Sequence, residues 1–195
     1  MDGLQFFSRW LHVIAGITWI GHLYFFNFVN VPLQASLDDA AKKTVNPQLM
    51  PRALWWFRWG AMITFLSGLL LFTLIYAYVP QEGLRMPGLR VAGPWIMLGM
   101  TLGLIMWFNV WFIIWPVQKK MLSGRALPEE LPALRRRAYL ASRTNTYLSG
   151  PMLLGMLAAN HLNADFFPGV IAWSAAALAC TWVAIFHAAK VGKSV

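Results

Sequence analysis

The sequence predicts an all-α integral membrane bundle of five transmembrane helices, with the N-terminus outside and the C-terminus in the cytoplasm. Three observations carry that expectation: an apolar composition, five long uncharged stretches and a one-sided distribution of basic residues. Of the 195 residues, 58% are hydrophobic and only 12% are charged, against about 25% charged in an ordinary soluble domain. That balance excludes a disordered chain and an ordinary soluble enzyme. The single cysteine, Cys180, excludes an intramolecular disulfide, a CxxCH haem attachment and a cysteine-based zinc cluster.

A helix needs about 20 apolar residues to cross the hydrocarbon core. The first candidate is 10–31. It is too long for a signal-peptide core, and no small-residue cleavage site follows it. The second is 59–79. The third is 94–117, where Gly93–Pro94 reads as a helix start because proline sacrifices no hydrogen bond in a first turn. The fourth, 147–162, is the shortest, and Pro151 should kink or shorten it. The fifth is 168–189, with Pro168 at its start. Trp55, Trp56, Trp59, Trp95, Trp115 and Tyr147 fall at the predicted interfaces, where a ring with one polar end is favoured. The segments 32–54 and 118–143 read as long inner loops. Within the second, 127–142 reads as a short amphipathic surface helix whose Arg135, Arg136 and Arg137 face anionic lipid. No second domain is evident, so residues 1–195 form one membrane domain.

Arg9, Arg85 and Arg90 lie on one side of this arrangement, and the other 13 of the 16 Lys and Arg lie on the opposite side. The basic side is cytoplasmic by the positive-inside rule, which orients the chain in a bacterial inner membrane. The same topogenic charge accounts for the basic excess without nucleic acid.

The predicted spans contain no Asp, Glu, Lys or Arg, which argues against proton pumping through this chain alone. They do contain all four histidines: His12, His22, His161 and His187. A buried imidazole needs a hydrogen bond, a metal or a haem iron. No HxH or HxxxH spacing supports zinc or copper. The expectation is b-type haem, one or two, held by histidines from different helices. His12 with His161 forms an outer pair. His22, about 15 Å deeper than His12 at helical rise, forms an inner pair with His187. Gly16, one turn from His12, leaves room for a flat ring, and Ala184 could do the same beside His187. Asn27, Asn30, Asn109, Asn160 and Thr101 are candidates for bonds between helices. Gly99 and Gly103 form a GxxxG pair suited to close packing, within the chain or in an oligomer. Cys180 reads as a small buried filler.

Three stretches carry a family resemblance: RWLHVIAGITWIGHLYFFNF at 9–28, WWFRWGAMITFLSGLLLF at 55–72 and SRTNTYLSGPMLLGMLAANH at 142–161. Together they resemble the membrane domain of the bacterial membrane-bound urate hydroxylases of the PuuD type, also described as the urate oxidase N-terminal family. The resemblance implies an oxidoreductase-like module that oxidises urate and passes electrons to cytochrome c. It carries His12, His161, Arg9, Trp10, Trp59 and Asn160 into the matching motifs. Arg9 and Asn160 then become candidates for contact with an anionic substrate. The chain departs from that pattern in having no CxxCH, so electrons would pass to a separate cytochrome c or another respiratory subunit. A more distant likeness is to HemJ-type protoporphyrinogen oxidases, but the intramembrane lysine expected of them is missing. The expectation from a different class is a non-catalytic subunit packed within a respiratory complex.

Overall fold

The computed structural model describes residues 2–79, 83–84, 89–159, 161–162 and 167–193. Its elements are α1 (Asp2–Tyr24), α2 (Val31–Ser36), α3 (Asp39–Phe72), a minimal ribbon of β1 (Tyr78–Val79) and β2 (Gly83–Leu84), α4 (Leu89–Phe108), α5 (Trp115–Leu122), α6 (Leu131–Ala158) and α7 (Phe167–Ala188). Three π-helical turns, Phe25–Asn30, Thr73–Ala77 and Asn109–Ile114, join or extend these helices. The first links α1 to α2 and the third links α4 to α5, giving near-continuous rods. In the ribbon, Tyr78 faces Leu84 and Val79 faces Gly83 in antiparallel register.

Four rods are long and apolar enough to cross a membrane: Gly3–Ser36, Asp39–Ala77, Gly93–Leu122 and Pro168–Ala188. Their outward faces are apolar. Phe6, Ile17 and Ile171 are each at least 60% exposed, an arrangement that suits lipid and not water. The fifth predicted span lies in α6, which has a charged first half and an apolar second half.

The rods alternate in direction. His12 of α1 meets Ser67 and Gly68 of α3, while Trp19 meets Gly60. Gly99 of α4 meets Gly155 of α6, and Asn109 meets Asn145. Tyr24 bonds Ser149, and Asn27 bonds Ser142. The core lies where these rods converge. Leu23, Phe57, Ala61, Met106 and Val110 are almost completely buried there, and the rings of Phe26 and Phe57 meet edge to face at 5.5 Å.

Several expectations are corrected. Residues 32–54 are helical except for the break at Leu37 and Asp38 between α2 and α3. Asp38 caps α3 by accepting a bond from the Ala41 N–H at 2.7 Å, and the helix passes through Pro47 and Pro51. The predicted surface helix at 127–142 is a 3-10 turn at Pro128–Glu130 followed by the first half of α6, continuous with the apolar half. Pro151 does not interrupt α6, but the helix ends at Ala158, before the predicted limit. Gly93 is non-helical at φ 46° and ψ −142°, so the regular helix effectively starts at Pro94 as its sequence suggests. Trp95 turns inward, 2% exposed in a small cluster with Ala158 and Val170. Cys180 is exposed, because α7 turns most of its surface outward. Pro80, Arg85 and Asn160 lie outside the described residues.

The GxxxG pair is used within the chain. A Cβ on Gly99 would stand 2.9 Å from the Met156 nitrogen, and one on Gly155 would stand 2.7 Å from the Gly99 nitrogen. Gly103 faces Met152 and Met156 of the same helix. The glycine face is therefore packed against α6, which is the within-chain alternative of the expectation.

Candidate functional site

Three histidines sit on helices, and each has one ring nitrogen engaged. His22 Nδ1 is 2.7 Å from the Thr18 carbonyl, and His187 Nδ1 is 2.9 Å from the Val183 carbonyl. A carbonyl only accepts, so Nδ1 carries the proton in both rings. His12 Nδ1 is 3.2 Å from Ser67 Oγ. The Ser67 hydroxyl donates to the Ile63 carbonyl at 2.6 Å, so its oxygen accepts from His12. All three imidazoles are thereby assigned the tautomer that leaves Nε2 with a free lone pair. Metal-ligating histidines adopt this arrangement, the second nitrogen fixing ring orientation.

Their surroundings differ. His12 is half-buried between α1 and α3, its ring resting on Gly68, where a Cβ would meet Cε1 at 2.9 Å. Gly16 faces Thr64 at 4.0 Å from a would-be Cβ, so its clearance is taken up by α3. His22 opens onto a groove of about 520 Å³ between α1 and α3, walled by Ile17, Thr18, Phe25, Ala53 and Trp56 with Arg52 on its lining. His187 is exposed in the last turn of α7. His161 is not within a helix: it is exposed in the turn after α6, its N–H donating to the Ala158 carbonyl at 3.0 Å. Arg9 is exposed on α1. Among the described residues no three His, Cys, Asp or Glu side chains converge as a metal cluster.

A polar seam runs through the bundle on α6, carried by Ser142, Asn145, Thr146 and Ser149. Asn145, Thr146 and Ser149 are fully buried. Asn145 Nδ2 donates to the Met106 carbonyl at 2.9 Å, while its Oδ1 accepts from Asn109 Nδ2 at 2.8 Å. Tyr24 Oη and Ser149 Oγ lie 2.9 Å apart. Asn27 and Asn109 thus bond across helices as expected, while Thr101 is exposed on α4. This seam was not among the residues expected to form a site. Its signal was the spacing 142, 145, 146, 149, which places all four residues on one helical face. Asn27 and Asn30 lie in one π-turn and Asn109 begins another, a backbone irregularity that often accompanies function.

Two arginines, Arg58 of α3 and Arg143 of α6, are half-buried. The Arg58 guanidinium lies 3.7 Å from the Trp115 ring centroid, a cation–π contact, so Trp115 serves as a platform for a cation. Arg143 Nη2 donates to Tyr139 Oη at 3.0 Å. Arg58 Nε and Arg143 Nε and Nη1 are buried with no hydrogen-bond acceptor among the described residues. Both residues fall just outside the predicted spans, and the helices run past those limits.

Comparison with known proteins gives one finding. The profile described as urate oxidase N-terminal matches residues 37–88 and 86–191. The match includes the quoted stretches at 55–72 and 142–161, with His161 and His187. The stretch at 9–28, with Arg9, His12, Gly16 and His22, lies outside it. No curated protein and no solved structure matches the chain.

Proposed function

The chain belongs to the urate oxidase N-terminal family, and from that premise we propose a membrane redox protein that holds b-type haem on its histidines. Electrons would pass to a cytochrome c or another respiratory subunit, with urate as the candidate reductant. The observation that carries this reading is the common tautomer of His12, His22 and His187, each with Nδ1–H engaged and Nε2 free. Haem, when bound, supplies a one-electron couple.

The surroundings of His22 support such a group. His22 would be the ligand with most space, its ring oriented by Thr18 beside an apolar groove where Arg52 offers a cation to carboxylate side arms. His12 would hold iron only if the wall of α3 yielded. His161 and His187, being exposed, would serve as partners at the two ends of the bundle. A substrate approaching the outer end would meet Arg9 first. Asn160 keeps its proposed place beside His161 in the sequence.

The same reading takes the chain across a bacterial inner membrane five times, with the N-terminus outside. The antiparallel pairing supports it, because it gathers Lys42, Lys119, Lys120, Arg135 and Lys190 toward one end of the bundle.

A reduced-minus-oxidised visible spectrum of the protein purified in detergent tests the proposal. A b-type α band is expected, and His22→Ala should remove it or reduce it several-fold at unchanged helical content. Urate added under anaerobic conditions should raise the reduced band if the chain is itself the oxidoreductase. A correctly folded, colourless preparation from haem-replete cells would instead make the chain a non-catalytic subunit.

A further inference from the structure

We propose that the junction of α3 and α5, at the basic end of the bundle, holds the phosphate of an anionic phospholipid, with Arg58 as its principal ligand. The inference takes from the membrane reading only that these residues lie at the basic boundary, and it does not depend on haem.

Arg58 is a cation without a counter-ion. Its Nε is buried with no acceptor among the described residues. Neither ion pair among those residues, Lys42 with Asp39 and Lys120 with Glu130, involves it. On its own helix the nearest carboxylate is Asp39, 19 residues away, about 28 Å at helical rise. The guanidinium does not deprotonate, so half-burial beside apolar groups is costly until an anion completes it. Trp115 stabilises the charge, its ring centroid 3.7 Å from Arg58 Cζ, but an indole face supplies no oxygen to the N–H groups.

The frame around Arg58 is aromatic. The Trp59 ring lies 6.0 Å from the guanidinium and meets Trp111 edge to face at 5.7 Å. A guanidinium held over an indole still presents N–H groups at its edge, a fork that matches two phosphate oxygens. Lys119 lies one turn beyond Trp115 on the same face of α5 and is exposed. A second cation there repels the ammonium of a zwitterionic headgroup and attracts a net negative one, which favours phosphatidylglycerol over phosphatidylcholine. Toward the bilayer centre, Trp59, Ile63 and Leu66 recur at helical spacing on α3, each at least 38% exposed. They form an apolar track for an acyl chain.

Native mass spectrometry of the delipidated full chain in detergent tests this, with phosphatidylglycerol and phosphatidylcholine of matched acyl chains as probes. Saturable binding of one phosphatidylglycerol, at least about fivefold tighter than that of phosphatidylcholine, is expected. Arg58→Gln should weaken it by a similar factor, and Arg58→Lys nearly as much, because an ammonium lacks the fork. Trp115→Phe should retain the site, whereas Trp115→Leu should weaken it severalfold. Lys119→Gln, at an exposed position, should bring the two lipids close to parity. Arg136→Gln, on α6, should leave binding unchanged, and circular dichroism confirms the fold of each variant. Equal affinity for the two lipids in the parent chain would overturn the proposal. So would phosphatidylglycerol binding that survives both Arg58→Gln and Lys119→Gln in folded protein. Displacement of the lipid by millimolar inorganic phosphate would also overturn it, by marking a site for soluble anions. Each of these failures leaves the spectral test of haem untouched.

Discussion

The ring of His12 fits its place because residue 68 has no side chain. With a would-be Cβ only 2.9 Å from Cε1, Gly68→Ala must push the imidazole or part α1 from α3. Overpacking of this kind costs about 1–3 kcal/mol, read as a lower thermal midpoint in detergent. Gly16→Ala, with its nearest atom at 4.0 Å, should be tolerated in the same assay. A different residue carries the pH dependence. Glu130 accepts from Lys120 Nζ at 2.6 Å and from the Leu127 N–H at 2.9 Å, and these bonds, led by that from Lys120, hold its carboxyl below the ordinary carboxylate range. A depressed folded-state pKa gives stability that is present above the unfolded value, about 4.3 for Glu, and is lost as pH falls through the folded value. Glu130→Gln should therefore lower the thermal midpoint slightly near neutrality, and the gap between variant and parent should close on acidification. A gap independent of pH would show that the carboxylate contributes through shape alone. The histidines themselves were legible as single residues, because polar side chains stand out in apolar runs. Their bonded partners were not, since Thr18 and Val183 contribute backbone carbonyls that no side-chain pattern reveals.

The crossing of α4 and α6 is a close backbone-to-backbone contact between elements. Gly155 faces backbone atoms on the other helix, with a would-be Cβ 2.7 Å from the Gly99 nitrogen and 2.8 Å from the Trp95 carbonyl oxygen. Backbone cannot step aside as a side-chain end can, so Gly155→Val should lower stability by at least about 1–3 kcal/mol. Gly103→Ala, with 3.9 Å to its nearest atoms, should be nearly neutral. Comparing the two thermal midpoints checks the assignment, and equal losses would refute it. The apolar stretches in 10–31, 59–79, 94–117 and 168–189 were readable because each outlasts the bilayer thickness. Their true ends were not, because helices continue beyond lipid where nothing apolar marks them. In α6 the basic run at 135–137 suggested a surface helix. Yet Leu131, Leu134, Ala138 and Ala141 recur at helical spacing, which carries one helix through both halves. The π-turns left no sequence signal. Each inserts one residue into a helical repeat, and only the packing of Asn27 and Asn109 against α6 shows why it helps.

At the scale of the molecule, the number of crossings decides which end meets which partner. The Gly99–Gly155 contact and the Lys120–Glu130 ion pair are separated by 21 residues along α4 and α5, about 30 Å at helical rise. That length matches the hydrocarbon core. A helix that pairs with a spanning rod over its whole thickness crosses the same slab, which argues that α6 spans despite its charged first half. Arg58 on Trp115 and Arg143 on Tyr139 then sit near the basic boundary, where long cationic side chains reach for headgroups. On the proposed five-span reading the termini fall on opposite sides. In a Cys180→Ser background, Gly3→Cys should react with a membrane-impermeant thiol reagent from the periplasmic face. Ser123→Cys and Lys193→Cys should react only after the membrane is opened. Labelling of Lys193→Cys from outside would mean an even number of crossings and would turn α7 around. It would then alter the ends at which the five-span reading places the two exposed histidines, His161 and His187.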